Sequence, residues 1–289
     1  MVKCFLFQRA VGSTKLNLID MKKIILPLVA ISLLMACRNE NKDKKVAHVI
    51  TAENDTLTYR YDSVKVVSNN LVKPGVNSEA DTANAVVKYP VFDNDSLNHY
   101  IKKQVFDYFG KDEHPTAYED VASSFIRGYN DFYMENPGTA QWWYLLIDIK
   151  VMRQLHNYIA LKYIHSDYAG GAHGNTSISY INYNPKTNQP IVLDSLILPN
   201  KKADLLKLAE GIFRKNEHMS ATEPLDKRYF FTNGKFSLPA AFYVSDKGLT
   251  FLYNPYEIKA YAEGTTELVI PFAALGDIAK PQTILTPIE

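Results

Sequence analysis

The chain has 289 residues, 46% of them hydrophobic, and its 32 basic and 31 acidic residues leave a formal net charge of +1 at pH 7. The basic residues are scattered and form no continuous stripe, which argues against a nucleic-acid partner. A chain of this length can bury a large core, and its 19 tyrosines suit both sheet faces and wet binding surfaces.

The N-terminal part of the chain has the pattern of a bacterial lipoprotein. In residues 21–36, two lysines are followed by an apolar run that ends in small residues before Cys37, as in a secretory signal. The run is shorter than the ~20 residues that a membrane-spanning helix needs. We therefore expect an exported protein, anchored by lipid on Cys37 to the outer membrane, on its periplasmic or its surface face.

The segments on either side of this signal have simpler interpretations. Residues 1–20 are interpreted as an over-extension of the start site, because an export signal ordinarily begins at its own methionine, here Met21. Residues 37–55 are polar and charged, which is typical of a tether. With Cys4 in the over-extension and Cys37 acylated, no cysteine remains for a disulfide, a metal site or thiol catalysis.

Residues 56–140 are predicted to form an N-terminal α+β subdomain. Alternating patterns predict strands over residues 56–68 and 86–90. Apolar residues at helical spacing predict helices over residues 95–109, capped by Asp95 or Ser96, and over residues 118–135.

Residues 141–289 are predicted to form a second, C-terminal domain. Consecutive strands are expected up to residue 185, with a turn at residues 155–157 and another at the glycine-rich loop. A helix over residues 201–216 and a hairpin turning at residues 246–248 follow. The whole pattern predicts an α+β fold, with a mostly antiparallel sheet, helices on one face and two subdomains that share a core.

The glycine-rich loop, residues 170–174, is the first candidate site. It opens into a strand and not into a helix, so it is a poor phosphate-binding loop. For catalysis, His173 would need a nucleophile or an orienting carboxylate, and no G-x-S-x-G motif is present. Either the loop contacts a ligand, or Gly170 and Gly171 only adopt backbone angles closed to other residues while His173 fixes the turn.

Three further features carry alternatives of their own. Glu257 stands among aromatic residues, and it is either a buried general acid or a hydrogen-bonded structural carboxylate. Strand alternation would point one of Trp142 and Trp143 into the core and the other outward. The outward ring, beside Tyr144, either stacks on a sugar or a partner protein or only lines the rim of the core. His156 and His165 could join His173 in a metal site, but no ligand motif supports this, so we expect no metal and no cofactor.

Two separated motifs, "YAGGAHG" at residues 168–174 and "NPYEIKAYAEG" at residues 254–264, give the chain a family resemblance. Residues 160–275 resemble the C-terminal domain of RsiV-type anti-sigma factors, a domain of unknown function found in many exported lipoproteins. The segment around residues 87–109 resembles the small domain that precedes it, also in PdaC-type peptidoglycan deacetylases. The resemblance implies these ligand-binding or structural signature residues: Tyr168, Gly170, Gly171, His173, Gly174, Asn254, Tyr256, Glu257 and Tyr261.

The resemblance implies an extracytoplasmic binding module. Because the motifs assemble no nucleophile, base and oxyanion site, we expect that the chain is not an enzyme. Our leading hypothesis is therefore a lipid-anchored cell-envelope protein whose ligand is a lysozyme-like protein or a peptidoglycan fragment. One alternative is an envelope glycan hydrolase that uses Glu257 and His173. Another is a structural component of an envelope assembly.

Overall fold

A computed structural model describes residues 56–71, 82–107, 114–137 and 141–286. The interpretations of residues 1–55, including lipidation of Cys37, concern residues outside these ranges. The helices and strands, in chain order, are β1 (Tyr59–Leu71), β2 (Thr82–Phe92), α1 (Asp95–Phe106), α2 (Tyr118–Glu135), β3 (Tyr144–Leu155), β4 (Tyr158–Tyr168), β5 (Asn175–Asn184), β6 (Gln189–Pro190), α3 (Leu193–Leu196), α4 (Lys202–Asn216), β7 (Phe242–Val244), β8 (Gly248–Tyr253), β9 (Thr266–Pro271) and α5 (Phe272–Leu275).

The strands form two sheets. The larger sheet has the order β1-β2-β3-β4-β5-β6, and every neighbouring pair in it is antiparallel except β2 and β3, which run parallel. This parallel pair needs a long crossover, which α1 and α2 supply. The smaller sheet, β7-β8-β9, is antiparallel. The expected α+β class with mostly antiparallel strands is thus confirmed, with two sheets in place of one.

Helices α1 and α2 pack on one face of the larger sheet. The stripe of apolar residues on α2 packs against β1 and β2. Tyr129 of α2 and Ile147 of β3 are both fully buried in the core that these elements share. The cap of α1 differs from the expected one: the Asn94 side chain, and not that of Asp95 or Ser96, accepts a 2.8 Å hydrogen bond from the Leu97 backbone N–H. No helix in the described ranges is long and apolar enough to span a membrane.

A second apolar core lies between α4, the smaller sheet and the opposite face of β4, which contributes Tyr158 and Ala160. Strand β4 therefore belongs to both cores, because its alternate side chains Ile159 and Leu161 face the helices α1 and α2. The predicted boundary at residue 140 falls between β2 and β3, which pair within one sheet. The division into domains 56–140 and 141–289 stays a prediction.

Candidate functional site

The glycine-rich loop connects β4 to β5 and depends on its glycines in two ways. Gly170 and Gly171 have φ values of 97° and 101°, in a region that side chains with a Cβ atom rarely adopt. Gly174 is required for space, since a Cβ atom there would collide with the Tyr144 hydroxyl and lie 3.0 Å from the Asp167 carbonyl oxygen. The Tyr168 hydroxyl closes the loop by donating a 2.9 Å hydrogen bond to the Gly171 carbonyl.

His173 is exposed and is held by aromatic neighbours from a distant part of the chain. Its ring stacks on Tyr261 with centroids 4.4 Å apart and planes 17° from parallel. Its Nδ1 lies 2.9 Å from the Gly174 carbonyl oxygen, which can only accept, so Nδ1 carries the proton. Nε2 then accepts from the Tyr256 hydroxyl at 3.3 Å. The ring is therefore fixed in orientation and tautomer.

The second motif, residues 254–264, docks beside the glycine-rich loop through Asn254. The Asn254 side chain accepts a 2.7 Å hydrogen bond from the Ile178 N–H of β5 and donates a 2.9 Å bond to the Ile178 carbonyl. The Tyr261 hydroxyl adds a 3.2 Å bond to the Gly174 carbonyl. The two motifs named from the sequence thus meet in space.

Glu257 is not buried, so the interpretation as a buried general acid is wrong. Its carboxylate accepts a 2.8 Å hydrogen bond from the Asn254 N–H, and its own N–H donates to the Asn254 carbonyl at 3.1 Å. It therefore stabilises the turn that presents Tyr256, whose backbone has a φ of 67° and whose surface is 57% exposed. The alternative interpretation of Glu257, a hydrogen-bonded structural carboxylate, accounts for these contacts.

The two tryptophans point to opposite faces of the sheet, as strand alternation predicts. Trp143 packs against α2, with Phe132 at 5.1 Å between ring centroids. Trp142 faces the other way and lies 5.4 Å from Tyr144 and 6.3 Å from Tyr168. Outward Trp142 therefore belongs to the same side of the molecule as the glycine-rich loop.

These contacts join into one continuous, partly exposed surface. Tyr144 links its halves, because its hydroxyl lies against Gly174, which Tyr261 also contacts. Burial raises the pKa of the Tyr144 hydroxyl, with smaller contributions from Tyr261 and Asp167, as expected for a hydroxyl turned into this cluster. We call this the aromatic surface, and its members are Trp142, Tyr144, Tyr168, His173, Tyr256 and Tyr261.

The three histidines weighed as a metal site are not brought together. His156 is exposed at the turn between β3 and β4, whereas His165 is buried within β4 and pairs with Asp167 at 3.3 Å. Burial holds the pKa of the His165 imidazole below its usual range, and Asp167 opposes this shift. Within the described ranges, no group of three His, Cys, Asp or Glu side chains lies close enough to hold a metal ion.

The aromatic surface is suited to stacking and hydrogen bonding. Ser166, the serine of β4, is hydrogen-bonded to the Thr176 hydroxyl at 2.7 Å. Aromatic rings with hydroxyl and imidazole edges offer flat apolar faces beside polar groups. Sequence reasoning named four of the six residues in the two motifs and weighed Trp142 as a separate feature. Tyr144 entered only as the neighbour of an outward Trp142 and not as a site residue, and its outward position two residues after Trp142 was the available signal.

Two segments of the chain match different known families, and each segment contains part of the aromatic surface. Residues 194–273 match the family described as "Protein of unknown function (DUF3298)". Residues 76–176 match the family described as "Deacetylase PdaC". The expected domain of unknown function and the small domain that precedes it are therefore both confirmed.

Individual relatives agree with these matches. The chain is 24% identical over 211 residues to the peptidoglycan-N-acetylmuramic acid deacetylase PdaC of Bacillus subtilis, covering 72% of this chain but only 41% of that protein. A crystal structure of a DUF3298 family member from Bacteroides fragilis has a TM-score of 0.61 at 23% identity, over 80% of this chain and 98% of that one. A second, from Pseudomonas aeruginosa, has a TM-score of 0.56 at 19% identity, over 79% and 97%. Both crystal structures share the fold of this chain.

Proposed function

We propose that this chain is a lipid-anchored binding module of the cell envelope, and that its aromatic surface binds the glycan of peptidoglycan fragments. In this proposal the protein holds its ligand without transforming it, and Cys37 carries the anchor. The anchoring rests on the sequence pattern of residues 21–37 alone.

The observation that carries the proposal is the composition of the aromatic surface. Trp142, Tyr144, Tyr168 and His173 lie in the segment that matches the PdaC family, whereas Tyr256 and Tyr261 lie in the DUF3298 segment. Ligand sites form preferentially where two structural units meet. A surface built from both segments, with its rings already oriented by hydrogen bonds, has the character of a preformed site.

The chemistry of the aromatic surface matches that of sugar rings. A pyranose ring presents a flat face of C–H groups and an edge of hydroxyls, which suits stacking on Trp142 or Tyr261 and hydrogen bonding at their edges. His173 is held rigidly by Tyr256 and Gly174, so little conformational freedom would be lost on binding. The name of the Bacillus subtilis relative, which acts on peptidoglycan, supports the same ligand class.

The test is calorimetric titration of the full chain with a soluble disaccharide-peptide from peptidoglycan and with an N-acetylglucosamine tetramer. We expect both to bind, and we expect Trp142→Ala and Tyr261→Ala each to weaken binding about tenfold, as for aromatic residues central to an interface. The matched control is Phe230→Ala, because Phe230 is an aromatic residue 60% exposed outside this surface. Its affinity should equal that of the wild type.

Two outcomes would overturn the proposal. The first is wild-type protein that binds neither glycan. The second is binding that Phe230→Ala weakens as much as Trp142→Ala does, since the aromatic surface would then have no special part. Lysozyme, titrated in parallel, identifies the protein-ligand alternative if it binds where the glycans do not.

A further inference from the structure

The larger sheet has a second face, opposite α1 and α2, and this face is accessible along β1 to β4. On β3, Leu145 and Ile147 point into the core beneath the helices, so that Leu146 and Lys150 point the other way. On β1 and β2 the buried residues alternate with half-buried or exposed ones in the same manner. We call this side of β1–β4 the open face, and Trp142 and Tyr144 lie at one end of it.

One lysine from each of four adjacent strands lies on the open face. Lys65 of β1 is paired with Val86, two residues before Lys88 of β2. Lys88 is paired with Asp148, two residues before Lys150 of β3, and Lys150 faces Lys162 of β4 directly. The four lysines therefore form a diagonal row across the sheet, about 15 Å wide at the usual strand spacing.

The charges of this lysine row are poorly compensated. Asp148 pairs with Lys150 at 3.0 Å. Among the residues of β1 to β4 that point to the open face, Asp148 is the acidic one. Among the described residues, Lys65, Lys88 and Lys162 have no ion-pair partner within 4.0 Å. Like charges placed directly opposite across a strand pair are destabilising, so the Lys150–Lys162 arrangement costs stability, and the Asp148–Lys150 pair offsets that cost only on the Lys150 side.

The lysine row and the aromatic surface share the open face. Tyr144 and Lys150 are both on β3, six residues and thus about 20 Å apart, and the partly buried Leu146 lies between them. A ligand that contacts both must carry sugar rings at one end and negative charge at the other. An exposed glycan with acidic peptide substituents meets that description.

We infer that the lysine row binds the carboxylates of the peptide attached to the glycan, while the sugar rings occupy the aromatic surface. This inference rests on the proposed function and names its ligand more narrowly: a glycan that bears an acidic peptide, in preference to a neutral one. An acidic protein is the competing class, and the continuity of the row with the aromatic surface favours the glycan.

The experiment compares two triple variants of the full chain. Lys65→Gln/Lys88→Gln/Lys162→Gln removes three charges from the row and leaves the Lys150–Asp148 pair intact. The matched control, Lys207→Gln/Lys215→Gln/Lys227→Gln, removes three exposed charges from α4 and the segment after it. Both are titrated with the disaccharide-peptide and with the neutral N-acetylglucosamine tetramer, in about 50 and about 300 mM salt.

We expect the row variant to bind the disaccharide-peptide about tenfold more weakly in low salt, given the contributions of exposed ion pairs, and to bind the neutral tetramer as the wild type does. The control variant should bind both ligands normally. Near-equal affinity of the row variant and the wild type for the disaccharide-peptide would overturn the inference while leaving the proposed function in place. If the wild type binds neither the disaccharide-peptide nor the neutral tetramer, the inference and the proposed function are both overturned.

Discussion

The two faces of the larger sheet show how one set of strands serves two purposes. The face beneath α1 and α2 is mainly apolar and buried, with Ala85, Val87 and Ile147 at 0% exposure. The open face, built from the intervening residues, combines lysines with aromatic, polar and partly exposed aliphatic side chains. The comparison indicates that folding stability comes from the first face, and that the second is free to carry recognition.

The largest expected difference between the faces is in stability. Ile147→Ala, on the helix-covered face, should lower the free energy of unfolding by about 3 kcal/mol because it leaves a cavity in a closed core. Leu146→Ala, on the open face, removes a similar side chain that is only partly buried, and should cost about 1 kcal/mol. Urea unfolding followed by circular dichroism measures both, and equal losses would contradict the assignment of faces.

A second difference concerns pH, through His165 on the covered side of β4. Because burial lowers the pKa of its imidazole in the folded state, the unfolded chain binds more protons once the pH falls below about 6.5. The stability from neutral His165 is therefore present above that pH and is lost as the pH falls further, by at most about 1.4 kcal/mol per pH unit.

Unfolding free energies measured from pH 7.5 to 5.5 should thus depend less on pH in His165→Gln than in the wild type. His156→Gln is the control, because His156 is exposed. A His165→Gln protein with the pH dependence of the wild type would show that this histidine is not the titrating group.

The smallest expected effect is a gain in stability on the open face. Lys162→Thr removes the charge that faces Lys150, and it should raise the free energy of unfolding by up to about 1 kcal/mol. Lys65→Thr, at a position that faces Val86 and not a lysine, should change it by less than about 0.5 kcal/mol. If Lys162→Thr is less stable than the wild type in urea, the like-charge cost is absent.

Local patterns in the sequence were sufficient for individual elements. The stripe Val121, Phe125, Tyr129 and Phe132 predicts a helix over residues 118–135, and α2 has those bounds. The glycine-rich loop and the hairpin before β8 follow from residues with special backbone angles, and their positions were predicted correctly. Such signals reside in a few neighbouring residues, so no tertiary contact is needed to interpret them.

Pairing between distant segments could not be predicted in the same way. Nothing near β2 or β3 specifies that they run parallel, because α1 and α2 lie between them in the chain. The stacking of His173 on Tyr261 and the lysine row both depend on such pairings. Residue types therefore identified candidates such as His173 and Glu257. Only the assembled structure showed that His173 stacks on Tyr261 and that Glu257 bonds to the backbone of its own turn.

The Asn254 side chain also has a consequence for the behaviour of the protein in solution. Its amide group satisfies both backbone groups of Ile178 on the outer side of β5, where the short strand β6 does not reach. An unpaired strand edge is a template on which another chain can add a strand and begin aggregation. A single side-chain amide thus takes the place of a neighbouring strand at Ile178, and it helps to keep copies of the protein apart.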